Sequence, residues 1–292
     1  MDRYKDTKIA SILGIIGNIF LLIIKGIVGI ITNSQSMIAD FFNSFGDVFS
    51  SLMTYIGNKI SSKKPDADHN LGHGKAEYIY SFVISIVMII TSYAVIKSAI
   101  TTFVNDNKIT FNYLLVVVCI ITIITKLSLY LYTRKIYKKH KNILIEANSK
   151  DHRNDCFITT MTLLSAILGI YGYKIIDIIV GIIIGLWIFY TAIKILKESY
   201  DVLMDKTMNN ETKEEVLKLI KNYDNIHKTS NFKSTPVGYK YQVSFTIYVD
   251  GNMTTFESHS IANNLEKEIE KKIDEVYLCV IHVDPIDINK IK

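Results

Sequence analysis

The sequence predicts an α-helical membrane protein with six transmembrane helices, followed by a small α+β domain. Three observations lead there. Six long apolar runs fill the first 200 residues, basic residues crowd alternate connections between them, and beyond that the pattern changes to short amphipathic helices and alternating strands. The division expected is 1–204 for the membrane part and 205–292 for the second domain.

The 292 residues are 49% hydrophobic and include only three prolines. Soluble domains approach that apolar fraction, so its distribution decides the class. A helix needs ~20 mostly apolar residues to cross a ~30 Å hydrocarbon core. Segments 8–31, 36–58, 79–103, 111–133, 152–171 and 173–196 qualify. The first is too long for a removable signal peptide and lacks a small-residue cleavage site. Cys119, Cys156 and Cys279 have no spacing that suggests a disulfide framework or a thiolate metal site.

The basic residues orient the spans. Arg3, Lys5 and Lys8 precede the first, Lys59, Lys63, Lys64 and Lys75 follow the second, and Arg134, Lys135, Lys138, Lys139, Lys141 and Lys150 follow the fourth. The other connections carry little beyond Lys108 and Lys174. The positive-inside rule therefore puts both termini and the second domain in the cytoplasm. The expected location of this multi-pass protein is the plasma membrane. This bias accounts for the net charge of +5. No aromatic and basic interleaving suggests nucleic acid as a partner.

The second domain reads α–β–β–α–β. Residues 209–223 have helical apolar spacing, with Asn210 or Thr212 as N-cap, and 258–274 form a second amphipathic helix. Residues 239–250 and 275–285 are β-branched and alternating, and 226–233 supply a third strand. The junction at 203–207 is short and lacks a Gly/Ser linker, which implies mechanical coupling.

Two polar clusters interrupt the apolar runs. Asn43 and Asp47 are four residues apart, as are Asp151 and Asp155. On a helix, i and i+4 share a face, so each helix offers a two-residue oxygen claw. A charge at the bilayer centre costs ~2.5–3.5 kcal/mol on insertion scales. Three carboxylates are therefore best explained by one shared cation site. The alternative, helix ends in the headgroup region, suits Asp151 and Asp155 but not Asp47, which apolar residues flank on both sides. Carboxylate and amide oxygens suit magnesium, calcium and manganese, whereas imidazole suits zinc, copper and nickel. His152 is turned about 100° from the Asp151–Asp155 face and is read as a cytoplasmic-end histidine outside the site. Asn18, Lys25 and Lys126 also interrupt apolar helices, and no role is assigned to them.

SMIADFFNSFGDVFSS (36–51), PDADHNLGHGKAE (65–77), DHRNDCFITT (151–160) and VIHVDP (280–285) resemble the cation diffusion facilitator family of divalent-metal exporters. The resemblance covers nearly the whole chain. It implies a homodimer, a ferredoxin-like cytoplasmic domain and metal–proton antiport, with no cofactor and the metal ion as cargo. Zinc-type members carry Asp-x-x-x-Asp in helix two and His-x-x-x-Asp in helix five. Here the set is Asn43, Asp47, Asp151 and Asp155, and this all-oxygen set resembles the manganese-exporting branch. The expected function is therefore Mn2+/H+ antiport from a mid-membrane site, with zinc or iron(II) export as the runner-up.

The resemblance also points to further residues. Asp66, His69 and His73 match a second metal site of some members, and a polar packing loop is the equal alternative. In the tail, His259, His282 and Asp284 match ligand positions. Ser230 and Phe245 replace others, and a metal-free strand is the favoured reading there. Lys75 and Asp205 match an ion pair that holds the membrane helices to the soluble domain. A membrane metalloenzyme would need an activated water and an acid–base group beside an open metal position, and no HExxH or glycine-rich phosphate loop signals one. A membrane metal sensor is the third class, and it would move no metal.

Overall fold

In a computed structural model, residues 2–32, 35–104, 113–170 and 174–286 are described. They form two compact units. One comprises Met1–Lys63 and Ala76–Tyr200, the other Lys64–Lys75 and Asp201–Lys292. The connection after the second helix thus clusters with the C-terminal part of the chain, a grouping that no single cut in the sequence describes.

The first unit holds six long helices: α1 (Asp2–Thr32), α2 (Gln35–Ser61), α3 (Ala76–Val104), α4 (Tyr113–His140), α5 (Ile143–Ile170) and α6 (Lys174–Leu203). By length and composition, Arg3–Ile31, Ala76–Thr101 and Tyr113–His140 are each able to cross a membrane. Isoleucines and aromatics such as Ile16, Ile30, Ile90, Tyr93, Ile124 and Trp187 point outward. Serines, threonines and charged groups are buried instead, among them Thr7, Ser51, Thr54, Ser81 and Ser85. This inverted distribution is what lipid as solvent demands. α1 packs mainly on α2, and α4 on α5.

The helix carrying Asp151 begins earlier than the apolar run suggests, at Ile143 rather than 152. Lys141 turns the chain with φ 51°, and Asn142 Oδ1 accepts hydrogen bonds from the backbone N–H of Leu144 (2.9 Å) and Ile145 (3.4 Å). This is a side-chain N-cap. Apolarity marks where a span starts, but the cap marks where a helix starts. Asp151 and Asp155 therefore lie well inside α5, not at its end.

In the second unit, α7 (Asn210–Lys221), β1 (Lys228–Val237), β2 (Lys240–Asp250), α8 (Thr255–Lys272) and β3 (Val276–Ile286) reproduce the expected α–β–β–α–β order. The sheet order is β1-β2-β3, with β1 antiparallel and β3 parallel to β2. Asn209 caps α7, accepting from Thr212 N at 2.7 Å, one residue before the expected cap. α8 starts three residues earlier than expected because Thr254 and Glu257 close a reciprocal capping box. Val243, Phe245, Ile247 and Val249 alternate along β2 and bury one sheet face with Val216, Ile220, Leu265 and Ile269 of the helices. Each such side chain contributes about 1.5–3 kcal/mol by leaving water.

The loop Lys64–Lys75 belongs to this unit through a close backbone approach. A Cβ on Gly74 would stand 2.8 Å from Gly238 Cα, and Gly238 turns between β1 and β2 with φ +65°. Glycine meets both needs at Gly238: it adopts the left-handed conformation and has no Cβ.

Candidate metal centre

Asp47 comes from the middle of α2, and Asp151 and Asp155 from successive turns of α5. All three are 7% exposed. One carboxylate oxygen from each lies within 4.8 Å of the others. At that separation and an effective dielectric of ~20, each like-charged pair repels by about 3.5 kcal/mol, so the cluster calls for a cation. Asp151 Oδ2 is buried with no hydrogen-bond partner. Asn43 lies in α2, one turn before Asp47, and its side chain is outside the described residues.

Lys126, to which the sequence reading gives no role, enters this cluster from α4. Its Nζ is 2.7 Å from Asp47 Oδ2 and 2.5 Å from Asp155 Oδ2. Its side chain is 1% exposed. The signal was present in the sequence: Thr122, Lys126, Leu129 and Thr133 form one buried face of α4. A charge on such a face of an apolar helix needs a buried counter-charge. A small cavity adjoins the cluster, lined by Lys25, Asp47, Thr122, Lys126, Asp155, Ile158 and Thr159. Lys25 is itself buried, and its Nζ donates to Ser44 Oγ at 3.1 Å. Asn18 Nδ2 donates to the Asp47 carbonyl at 3.0 Å and to Ser51 Oγ at 2.9 Å, tying α1 to the turn that carries Asp47.

His152, which the sequence places outside the ligand set, is not among the clustered ligands. It is 0% exposed inside the helical unit, with neither ring nitrogen hydrogen-bonded. A Cβ on Gly14 would be 3.6 Å from its Nε2 and 3.0 Å from Ser51 Oγ. The glycine leaves room for both. The early start of α5 carries His152 into the unit along with Asp151.

A second cluster lies in the loop of the other unit. Asp66 Oδ1 accepts from the backbone N–H of His69 (2.8 Å) and Asp68 (3.2 Å). His69 Nδ1 is 3.3 Å from Asp66 Oδ1, and His73 Nε2 is 3.4 Å from Asp66 Oδ2. One ligand atom from each of these three residues lies within 4.8 Å of the others. The His69 N–H bond, above all, holds the Asp66 carboxyl below its ordinary range, so it stays ionised and able to bind a cation.

In the tail, His282 Nε2 is 3.0 Å from Asp284 Oδ1. Among the described residues, the clusters of three or more potential ligands are the two above, and His259 joins neither. Phe245 is 2% exposed and stacks on Phe232, with centroids 5.9 Å apart, so it fills the core of the domain. Lys75 Nζ and Asp205 Oδ1 are 2.6 Å apart, with both side chains exposed. Both residues belong to the second unit, so this pair is internal to it. Exposed pairs contribute about 0–1 kcal/mol.

Residues 11–204 match a family profile described as the cation efflux transmembrane domain, and residues 208–286 match the cation efflux protein cytoplasmic domain. The chain is similar to an uncharacterized transporter of Methanocaldococcus jannaschii, 31% identical over 283 residues, covering 97% of this chain and all of the relative. It is also similar to two manganese efflux system proteins of Bacillus subtilis. MneP is 28% identical over 291 residues, covering 97% of this chain and 98% of the relative. MneS is 27% identical over 290 residues, covering 98% and 99%. With both of its domains matched in order, the chain belongs to the cation efflux family of membrane transporters and is a divalent-metal exporter, not an enzyme.

Proposed function

We propose that this protein exports divalent manganese in exchange for protons, by alternating access to a site formed by Asn43, Asp47, Asp151 and Asp155. The observation that carries this reading is the convergence of three buried carboxylates from two helices, with ligand oxygens within 4.8 Å. An all-oxygen set suits a hard, six-coordinate dication, and manganese is such an ion. The efflux of manganese named for MneP and MneS supports the same choice. Carboxylates must be deprotonated to bind metal, so protons arriving from the outer side compete with the ion and favour its release. Export follows if the termini and the second unit face the cytoplasm of a plasma-membrane protein, as the basic loops imply. A second copy of the chain completes a homodimer in this reading, and the bilayer is its solvent. Asp66, His69 and His73 form an accessory metal site on the loop.

The test is metal flux into sealed vesicles with an imposed pH gradient. Manganese should be transported in preference to zinc and iron(II), and its flux should collapse when the gradient is removed. Asp47→Ala and Asp155→Ala should each abolish it while the protein still reaches the membrane. Retained flux in either variant would move the site elsewhere.

A further inference from the structure

The carboxylate cluster already holds a cation that belongs to the protein. Lys126 Nζ bridges Asp47 Oδ2 at 2.7 Å and Asp155 Oδ2 at 2.5 Å. Hard dications bound to oxygen stand roughly 2.0–2.6 Å from their ligands. A metal ion bridging these same two oxygens would occupy the volume that the ammonium fills. The two cannot be bound there together.

We propose that Lys126 is a tethered competitor for the transported dication: the metal displaces its ammonium from Asp47 and Asp155 on loading, and the returning ammonium helps to expel the metal on release. This rests on the reading of the aspartate cluster as the transport site.

Three features support it. First, the bridge is incomplete. Lys126 engages two of the three carboxylates, and Asp151 Oδ2 is left buried without a partner. The cluster has more ligand capacity than one ammonium uses, which a multivalent cation would satisfy. Second, the ammonium borders a small cavity with polar walls. The adjoining cavity is walled by Thr122, Thr159 and Ile158 as well as by Lys126 itself. Thr122 lies one turn before Lys126 on α4, and its buried Oγ1 has no partner, so it offers an acceptor to a displaced ammonium. Third, the tether matters. A charge on a four-carbon stem is present at high effective concentration without having to diffuse to the site. Lys25 is the other cation on this cavity, and its hydrogen bond to Ser44 keeps it engaged on α2.

A purely structural role is the competing account. In that case Lys126 is the counter-ion that joins α2, α4 and α5. The two accounts predict opposite changes in affinity. Removing a structural counter-ion loosens the site and weakens metal binding, whereas removing a competitor tightens it.

The experiment is a Mn2+ binding titration on purified full-length protein in nanodiscs, for wild type, Lys126→Met, Lys126→Gln, Lys126→Arg and Asp155→Asn. Lys126→Met should bind manganese about tenfold or more tightly, because an intramolecular competitor has gone. Lys126→Arg keeps a competing charge and should bind manganese less tightly than Lys126→Met. In proteoliposomes, Lys126→Met should release metal more slowly, and export at saturating manganese should fall. If Lys126→Met does not fold, Lys126→Gln is read in its place, since its amide still donates toward the carboxylates but carries no charge. Unchanged or weaker binding in the neutral variants, with binding still lost in Asp155→Asn, overturns the role of Lys126 alone. Equal binding by wild type and Asp155→Asn puts the metal elsewhere and overturns the transport-site reading together with it.

Discussion

Arg3 and Glu77 form a bidentate ion pair inside the helical unit, with Nη1–Oε1 at 2.5 Å and Nη2–Oε2 at 2.6 Å. Glu77 is 1% exposed and also accepts from Asn142 Nδ2 at 3.3 Å and Ser61 Oγ at 3.4 Å. It therefore ties together the start of α1, the end of α2, the start of α3 and the cap of α5. Breaking a buried pair by removing one partner strands the other charge and costs about 3–5 kcal/mol. Glu77→Ala and Arg3→Ala should each lower the thermal unfolding temperature in detergent. An Arg3→Met, Glu77→Leu double variant should recover much of the loss. Strictly additive losses would show that the two charges do not depend on each other.

The ligand chemistry at position 151 should set the choice of metal. Asp151→His would place the zinc-type residue at that one position, and imidazole suits zinc better than manganese. Competing-metal transport in vesicles should show zinc flux rising relative to manganese by about tenfold, the effect of roughly 1.4 kcal/mol of differential binding. An unchanged ratio would remove Asp151 from the ligand set.

Gly238 and Gly74 should tolerate no side chain. Gly238→Ala forces a left-handed conformation on an L-residue, at about 1–2 kcal/mol. It also sets a Cβ 2.9 Å from Gly74 Cα, which cannot rotate away. Gly74→Ala meets the same backbone without the conformational cost. Both should destabilise the second unit, Gly238→Ala more, and should speed proteolysis of the 64–75 loop in the full-length protein. Equal resistance to protease in wild type and both variants would show that this approach is not close in solution.

Cys279 should be chemically quiet. It is 4% exposed in β3, and burial, followed by the charges of Glu266 and Glu270, pushes its thiol up to about 12. The thiolate is the reactive form, so alkylation at pH 8 should be slow in the folded protein and fast once the domain unfolds. Mass spectrometry of iodoacetamide-treated protein measures this directly. Labelling of Cys279 in the native protein at the rate of a free thiol would contradict the burial.

The sequence by itself determined the order of elements and the residue types of the candidate site. Runs of isoleucine and leucine, the alternation in 239–250 and the four-residue spacings are local properties, and local periodicity is enough to read them. Helix starts were less legible, because Asn142 and Thr254 act through hydrogen bonds that hydropathy does not register. Only the tertiary structure brought Lys126 between Asp47 and Asp155, residues 79 and 29 positions away. It likewise buried His152 beside Gly14 of α1, and set Gly74 on Gly238. Which residue neutralises a buried charge depends on which helices pack side by side. That choice is made by the fit of whole helix faces, not by any spacing within one helix.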